Sequence, residues 1–130
     1  MKNYNFDELV DTWIEYYSYD SESKEAEDRF WAFETALNFK FDNNPEGLWR
    51  LILEVLKRDP SPLDKEELPR ALGALAAGPL DDLLTDYGPL FIDRIEKEAA
   101  VNQKFKNLLG GVLEGDIDDE IWSRMQKARE

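Results

Sequence analysis

The run Asp116-Ile117-Asp118-Asp119-Glu120 places four carboxylates in five residues, the oxygen-rich kind of turn in which a hard cation such as calcium or magnesium is held. It lacks the alternating ligand spacing and central glycine of an EF-hand loop, and Asp118 or Asp119 stands where the cap of a following helix belongs. Acids at a helix N-terminus are favoured by the macrodipole without any ligand, so capping is the assignment and no metal is expected. Asp81, Asp82 and Asp86, or Glu96 and Glu98, are raw material for carboxylate acid-base work. None is tied to a nucleophile or a phosphate loop, and solvated surface is the better account of them. The chain has no His and no Cys, which removes the commonest general base, thiolate chemistry and the usual structural zinc sites. No catalytic residue and no cofactor is expected.

Binding chemistry is better represented. In Trp13-Ile14-Glu15-Tyr16-Tyr17-Ser18-Tyr19-Asp20, tyrosines stand among acids. At helical spacing Trp13, Ile14 and Tyr17 belong to a core stripe, Tyr16 lies at its edge and Tyr19 well away from it. An exposed aromatic anchor ringed by carboxylates suits a basic protein, because the ring supplies contact area while the acids steer and orient. Asp11, Glu15, Tyr16, Tyr19, Asp20 and Glu22 are the candidate partner-binding residues, joined by Asp116, Asp118, Asp119 and Glu120.

Charge points the same way. The net charge is −13, from 16 basic and 29 acidic residues, so a basic partner is attracted and nucleic acid repelled. Residues 1 to 47 hold twelve acids and four bases, residues 48 to 110 eleven and nine, and residues 111 to 130 six and three. The excess therefore lies at the two ends, around a nearly neutral middle. With 130 residues, four Trp, five Tyr and seven Phe, one domain with one core is expected rather than a disordered acidic tail. No apolar run is long enough to span a bilayer and MKNYNFDEL lacks the apolar centre of a secretory signal, so a cytoplasmic protein without membrane contact is expected.

The elements that must position these residues read as helices, and no alternating strand pattern appears. Phe6, Leu9, Val10, Trp13, Ile14 and Tyr17 form one stripe, ended by turn-forming residues from Ser18 to Ser23. A second helix from about Lys24 to Phe41 puts Ala26, Phe30, Phe33, Leu37 and Phe41 on one face, with Trp31 and Phe39 nearly opposite and expected to be covered by another helix. Asn43, Asn44 and Pro45 close it and start a third helix, in which Leu48, Trp49, Leu51, Ile52, Leu53, Val55 and Leu56 occupy most of the circumference. RDPSPLD predicts a turn, and Asp64 with Glu67 a capping box. Leu68, Leu72, Leu75 and Ala76 make the next stripe, with stops expected at Gly78-Pro79 and again at Gly88-Pro89. Helices at Gln103 to Leu109 and Asp118 to Arg129 follow, separated at Gly110-Gly111. The expectation is an all-α domain over residues 1 to 130, with seven or eight short antiparallel helices in solenoid-like pairs.

The stretches LAAGPLDDLLTDYGPLFIDRIEKEA and FKNLLGGVLEGDIDDEIWSRM resemble an uncharacterised family of small bacterial helical domains. The likeness covers about residues 45 to 125 and is carried by Ala77-Gly78-Pro79-Leu80, Gly88, Phe91-Ile92, Ile95-Glu96 and Leu109-Gly110-Gly111-Val112. Tyr87 and Leu113 stand where that family's pattern often has His and Trp, so no His-dependent activity carries over. The resemblance implies a bacterial, helical, cytosolic domain and brings no reaction with it. Composition and resemblance together lead to an expected acidic immunity protein or inhibitor of a basic toxin such as a nuclease, with a self-associating helical scaffold as the alternative.

Overall fold

The computed structural model describes residues 4–59 and 69–130, and among them every regular element is a helix. The turn and capping box expected at Pro60 to Glu67, and Leu68 of the following stripe, lie outside the described residues. The chain divides into two compact units, Met1–Pro60 and Ser61–Glu130.

The first unit is built from three helices in mutual contact. Helix α1 (Phe6–Tyr16) is capped by Asn5, whose side chain accepts from the Glu8 N–H at 2.7 Å, and it buries Leu9, Val10 and Trp13. The Ser18 hydroxyl donates to the Glu15 carbonyl and the Ser23 hydroxyl to the Asp20 carbonyl, both at 2.6 Å, folding the connection into tight turns. Ser23 then caps α2 (Lys24–Phe41) by accepting from the Ala26 N–H at 3.1 Å. The chain leaves α2 through Asn43 at φ +57°, a left-handed conformation that asparagine tolerates better than most residues. Asn44 caps α3 (Pro45–Arg58), where Pro45 sits in the first turn and loses no hydrogen bond by lacking an N–H. Leu48, Leu51, Ile52, Val55 and Leu56 are buried along α3, as its spacing predicts.

The face of α2 that packs inward differs from the expected stripe. Ala26, Ala32 and Ala36 are the buried residues, while Phe30, Leu37 and Phe41 are exposed. Alanines let helix axes approach closely, so the small side chains take the contact and the large ones are left outside it. Trp31 and Phe39 are half-buried and line a cavity, and the Phe39 ring packs against Gly47 of α3, where an added Cβ would stand 3.0 Å from it.

The second unit corrects the first of the expected stops. Helix α4 (Arg70–Leu75) runs through a π-helical turn (Ala76–Leu80) directly into α5 (Asp81–Val101), so Gly78-Pro79 ends no helix, whereas next to Gly88-Pro89 two helical segments of α5 meet across a kink. A proline inside an α-helix lacks the N–H for the ladder, and its ring strikes the carbonyl four residues earlier. At Pro79 the wider π turn relieves that clash. At Pro89 the relief is a kink two residues upstream, where Tyr87 leaves helical geometry at φ −133° and ψ 20°. Counted with this kinked rod as one, the described residues hold six helical stretches, fewer than the seven or eight expected.

Asn102 caps α6 (Gln103–Leu109), which buries Phe105, Leu108 and Leu109. Val112 and Ile117, both buried, pin the loop that leads to α7 (Asp119–Ala128). Helix α7 crosses α5 closely at Gly88, where an added Cβ would stand 3.0 Å from both Cγ atoms of Ile121. That glycine, one residue past the kink, serves close approach. Arg124 of α7 closes the same contact by donating from Nε to Glu96 at 3.0 Å and from Nη2 to Asp93 at 2.6 Å, which raises its own pKa.

Candidate acidic and aromatic surface of the first unit

Tyr16, at the end of α1, is where the first candidate residues meet α2. Its ring centroid lies 5.8 Å from Phe33, 6.1 Å from Phe30 and 5.0 Å from Tyr17, while Phe30 and Phe33 stack at 5.4 Å. Offset and edge-on ring contacts at these separations hold one another in place. Leu37 and Phe41 continue the row along α2 at i+7 and i+11 from Phe30, so the four residues share one helical face. Phe30 is 41% exposed, Leu37 38% and Phe41 69%, leaving a contiguous apolar strip in water. Beside it Glu22 and Glu27, with Tyr16 and Phe30, line an open recess of about 350 Å³.

The expected residues of this unit divide by what they already touch. Glu15 accepts from Arg29 at 3.1 Å, and the Arg29 guanidinium sits 4.6 Å from the Tyr19 ring centroid, so Glu15, Arg29 and Tyr19 form one chain of contacts. The hydrogen bond from Glu15 is the largest cause of a raised Arg29 pKa. Asp20 accepts from the Glu22 N–H at 2.9 Å and thereby shapes the loop, while Glu22 is exposed. Asp11 accepts from Arg58 at 3.3 Å. Arg58 also binds Asp7, whose pKa is lowered by that hydrogen bond first and by the guanidinium's charge second. Two of the candidate acids, Asp11 and Glu15, thus already hold α1 to its neighbours.

The other candidates lie in the second unit. Asp118 caps α7, accepting from the Glu120 N–H at 3.1 Å, and Asp119 and Glu120 occupy the first turn, as the helix dipole favours. Asp116 is exposed in the turn, next to Gly115 at φ +47°. Among the described residues no group of three or more acidic side chains is arranged to hold a metal ion. No described helix is long and apolar enough to cross a membrane.

Sequence reasoning put Phe30, Phe33, Leu37 and Phe41 on one face of the second helix but did not name Phe30, Leu37 and Phe41 as candidate site residues. The available signal is the i, i+4 pair Ala32 and Ala36, which marks a second face suited to close packing. Missed too is the use of rings to hold cations: besides Arg29 over Tyr19, the Arg50 guanidinium lies 3.9 Å from the Phe6 centroid and the Lys40 ammonium 5.7 Å from that of Phe41.

Residues 19–130 match the model of a family of unknown function, DUF6869, and the chain belongs to that family. The match begins in the connection between α1 and α2. No match was found among curated proteins or among solved structures.

Proposed function

We propose that the chain is an acidic binding protein that neutralises a basic protein, acting as a bacterial immunity protein or inhibitor of a cytoplasmic toxin such as a nuclease. It works by covering a surface and not by catalysis. The observation that carries this reading is the exposed strip Phe30, Leu37 and Phe41 beside Tyr16, set in a region with twelve acids against four bases. Such a strip supplies an apolar centre to an interface, and the surrounding carboxylates supply long-range attraction for a positive partner. A second copy of the chain would bring like charge to like charge, which weighs against the self-associating scaffold.

The full chain, used to capture its partner from cells that express the neighbouring gene, is expected to retain a basic protein. Its association rate should fall steeply as salt rises from about 0.05 to about 0.5 M, because steering is screened over a shortening Debye length. Phe41→Ala and Phe30→Ala should speed dissociation while leaving that salt slope nearly unchanged. A neutral or acidic partner, or a rate indifferent to salt, overturns the proposal. Sedimentation at several concentrations tests the scaffold, which requires self-association.

A further inference from the structure

On a different face of α2, Tyr4, Trp31 and Phe39 line a cavity of about 270 Å³, together with Glu34, Thr35, Asn38 and Asp42. Its three rings and two carboxylates are accompanied by no lysine or arginine among the described lining residues. Tyr4 and Trp31 stand 5.7 Å apart with their planes tilted by 37°, making two walls of a corner. The Thr35 hydroxyl donates to the Trp31 carbonyl at 2.7 Å, so it is turned toward its own helix and away from an occupant. We propose that this cavity receives a lysine or arginine side chain of the protein partner, an inference that rests on the proposed binding of a basic protein.

Three physical features select that occupant. Aromatic faces attract cations through the ring quadrupole, tryptophan most strongly, and they also cover the methylene stem that a lysine or arginine carries. Glu34 and Asp42 supply opposite charge at the rim. The cavity also adjoins the last turn of α2, where the negative end of the helix dipole favours a cation. Its volume falls just under the roughly 300–1,000 Å³ of pockets for drug-sized ligands, which suits one side chain better than a cofactor. Arg29 over Tyr19 and Arg50 over Phe6 show the same pairing already made inside this unit.

The test titrates N-acetyl-lysine methylamide, its arginine counterpart, the neutral N-acetyl-norleucine methylamide and tetramethylammonium into the full-length protein, followed by two-dimensional NMR. The cationic amides are expected to shift the Trp31 indole N–H and the Asn38 and Asp42 amides saturably, with norleucine inert. Trp31→Ala should weaken the lysine or arginine amide about fivefold to tenfold, and Glu34→Gln less. Equal shifts from norleucine, or shifts spread over the acidic surface without focus on these signals, overturn the pocket. Tighter binding of tetramethylammonium than of either amide also overturns it, in favour of a free quaternary ammonium ligand. Partner capture that survives Trp31→Ala but is lost with Phe41→Asp leaves the proposed function standing and removes the pocket from it.

Discussion

Helix α2 of the first unit and helix α5 of the second resolve the same problem in opposite ways. Both are long, and both carry apolar residues on more than one face. In α5 the large side chains Leu83, Leu84, Phe91, Ile92 and Ile95 are buried, and a glycine, Gly88, meets Ile121 of α7. In α2 the alanines are buried and the large side chains stay outside. Among the exposed large apolar residues of the second unit, Leu90 and Val101 are eleven residues apart on α5 with no other between them, and Leu113 is in a loop. In the first unit Phe30, Leu37 and Phe41 share one face of α2 that begins beside Tyr16, while Tyr4 lies against Trp31 on another. The second unit buries most of its large apolar side chains, whereas the first leaves a row of them in water.

The sharpest way to break this contrast is to truncate one phenylalanine of each kind. Phe105 is fully buried in the second unit, so Phe105→Ala is expected to destabilise the protein by about 3–5 kcal/mol, from lost burial and the cavity left behind. Phe41→Ala should change stability by no more than about 0.5 kcal/mol, as surface substitutions do. Urea denaturation followed by circular dichroism measures both. If Phe41→Ala costs as much as a core truncation, the strip is part of a hydrophobic core and the case for a binding surface collapses.

What could be read beforehand follows from range. The starts of α2 and α3 were legible because Ser23 and Asn44-Pro45 are local signals: each cap acts through a backbone N–H three residues away. Asp118 as a cap was legible for the same reason. The Gly78-Pro79 stop failed because the proline rule assumes an α-helical ladder, and a π turn removes the clash it rests on, while the stop at Gly88-Pro89 corresponds to the kink at Tyr87. The exposure of Phe30 and Phe41 was hidden because periodicity shows which residues share a face, not which face meets α1 and α3. Likewise Tyr16 was placed at the edge of its stripe, but its contacts with Phe30 and Phe33 depend on a crossing that spacing alone does not set.

A smaller effect tests the other half of the contrast, the close crossing in the second unit. Gly88→Ala puts a methyl 3.0 Å from two carbons of Ile121 and should cost about 1–3 kcal/mol by overpacking. Ile121→Ala makes room for that methyl, so the two substitutions together should cost less than the sum of each alone. A coupling of about 0.5–3 kcal/mol in that sense is the range for touching residues. Additive costs would mean that Gly88 matters for backbone geometry in the kinked rod and not for the approach of α7.

The smallest expected effect concerns how α1 is held, which decides whether the acids of the first unit serve only a partner. Asp7 accepts from Arg58 and stands in the first turn of α1, so both a guanidinium and the helix dipole favour its ionised form. Its pKa is lowered in the folded protein, meaning that the unfolded chain takes up the proton first as the pH falls. The stabilisation is therefore complete above the unfolded carboxylate value, close to about pH 4, and is lost as the pH drops through the depressed native value. Its side chain is 77% exposed, so water and salt screen the pair and the gain is modest. Asp7→Asn should lower the urea midpoint at about pH 7, and the gap from the parent protein should close toward about pH 2 and shrink in high salt. A gap that stays constant with pH would assign the contact to packing of the Arg58 side chain, and would return Asp7 to the acids free to attract a basic partner.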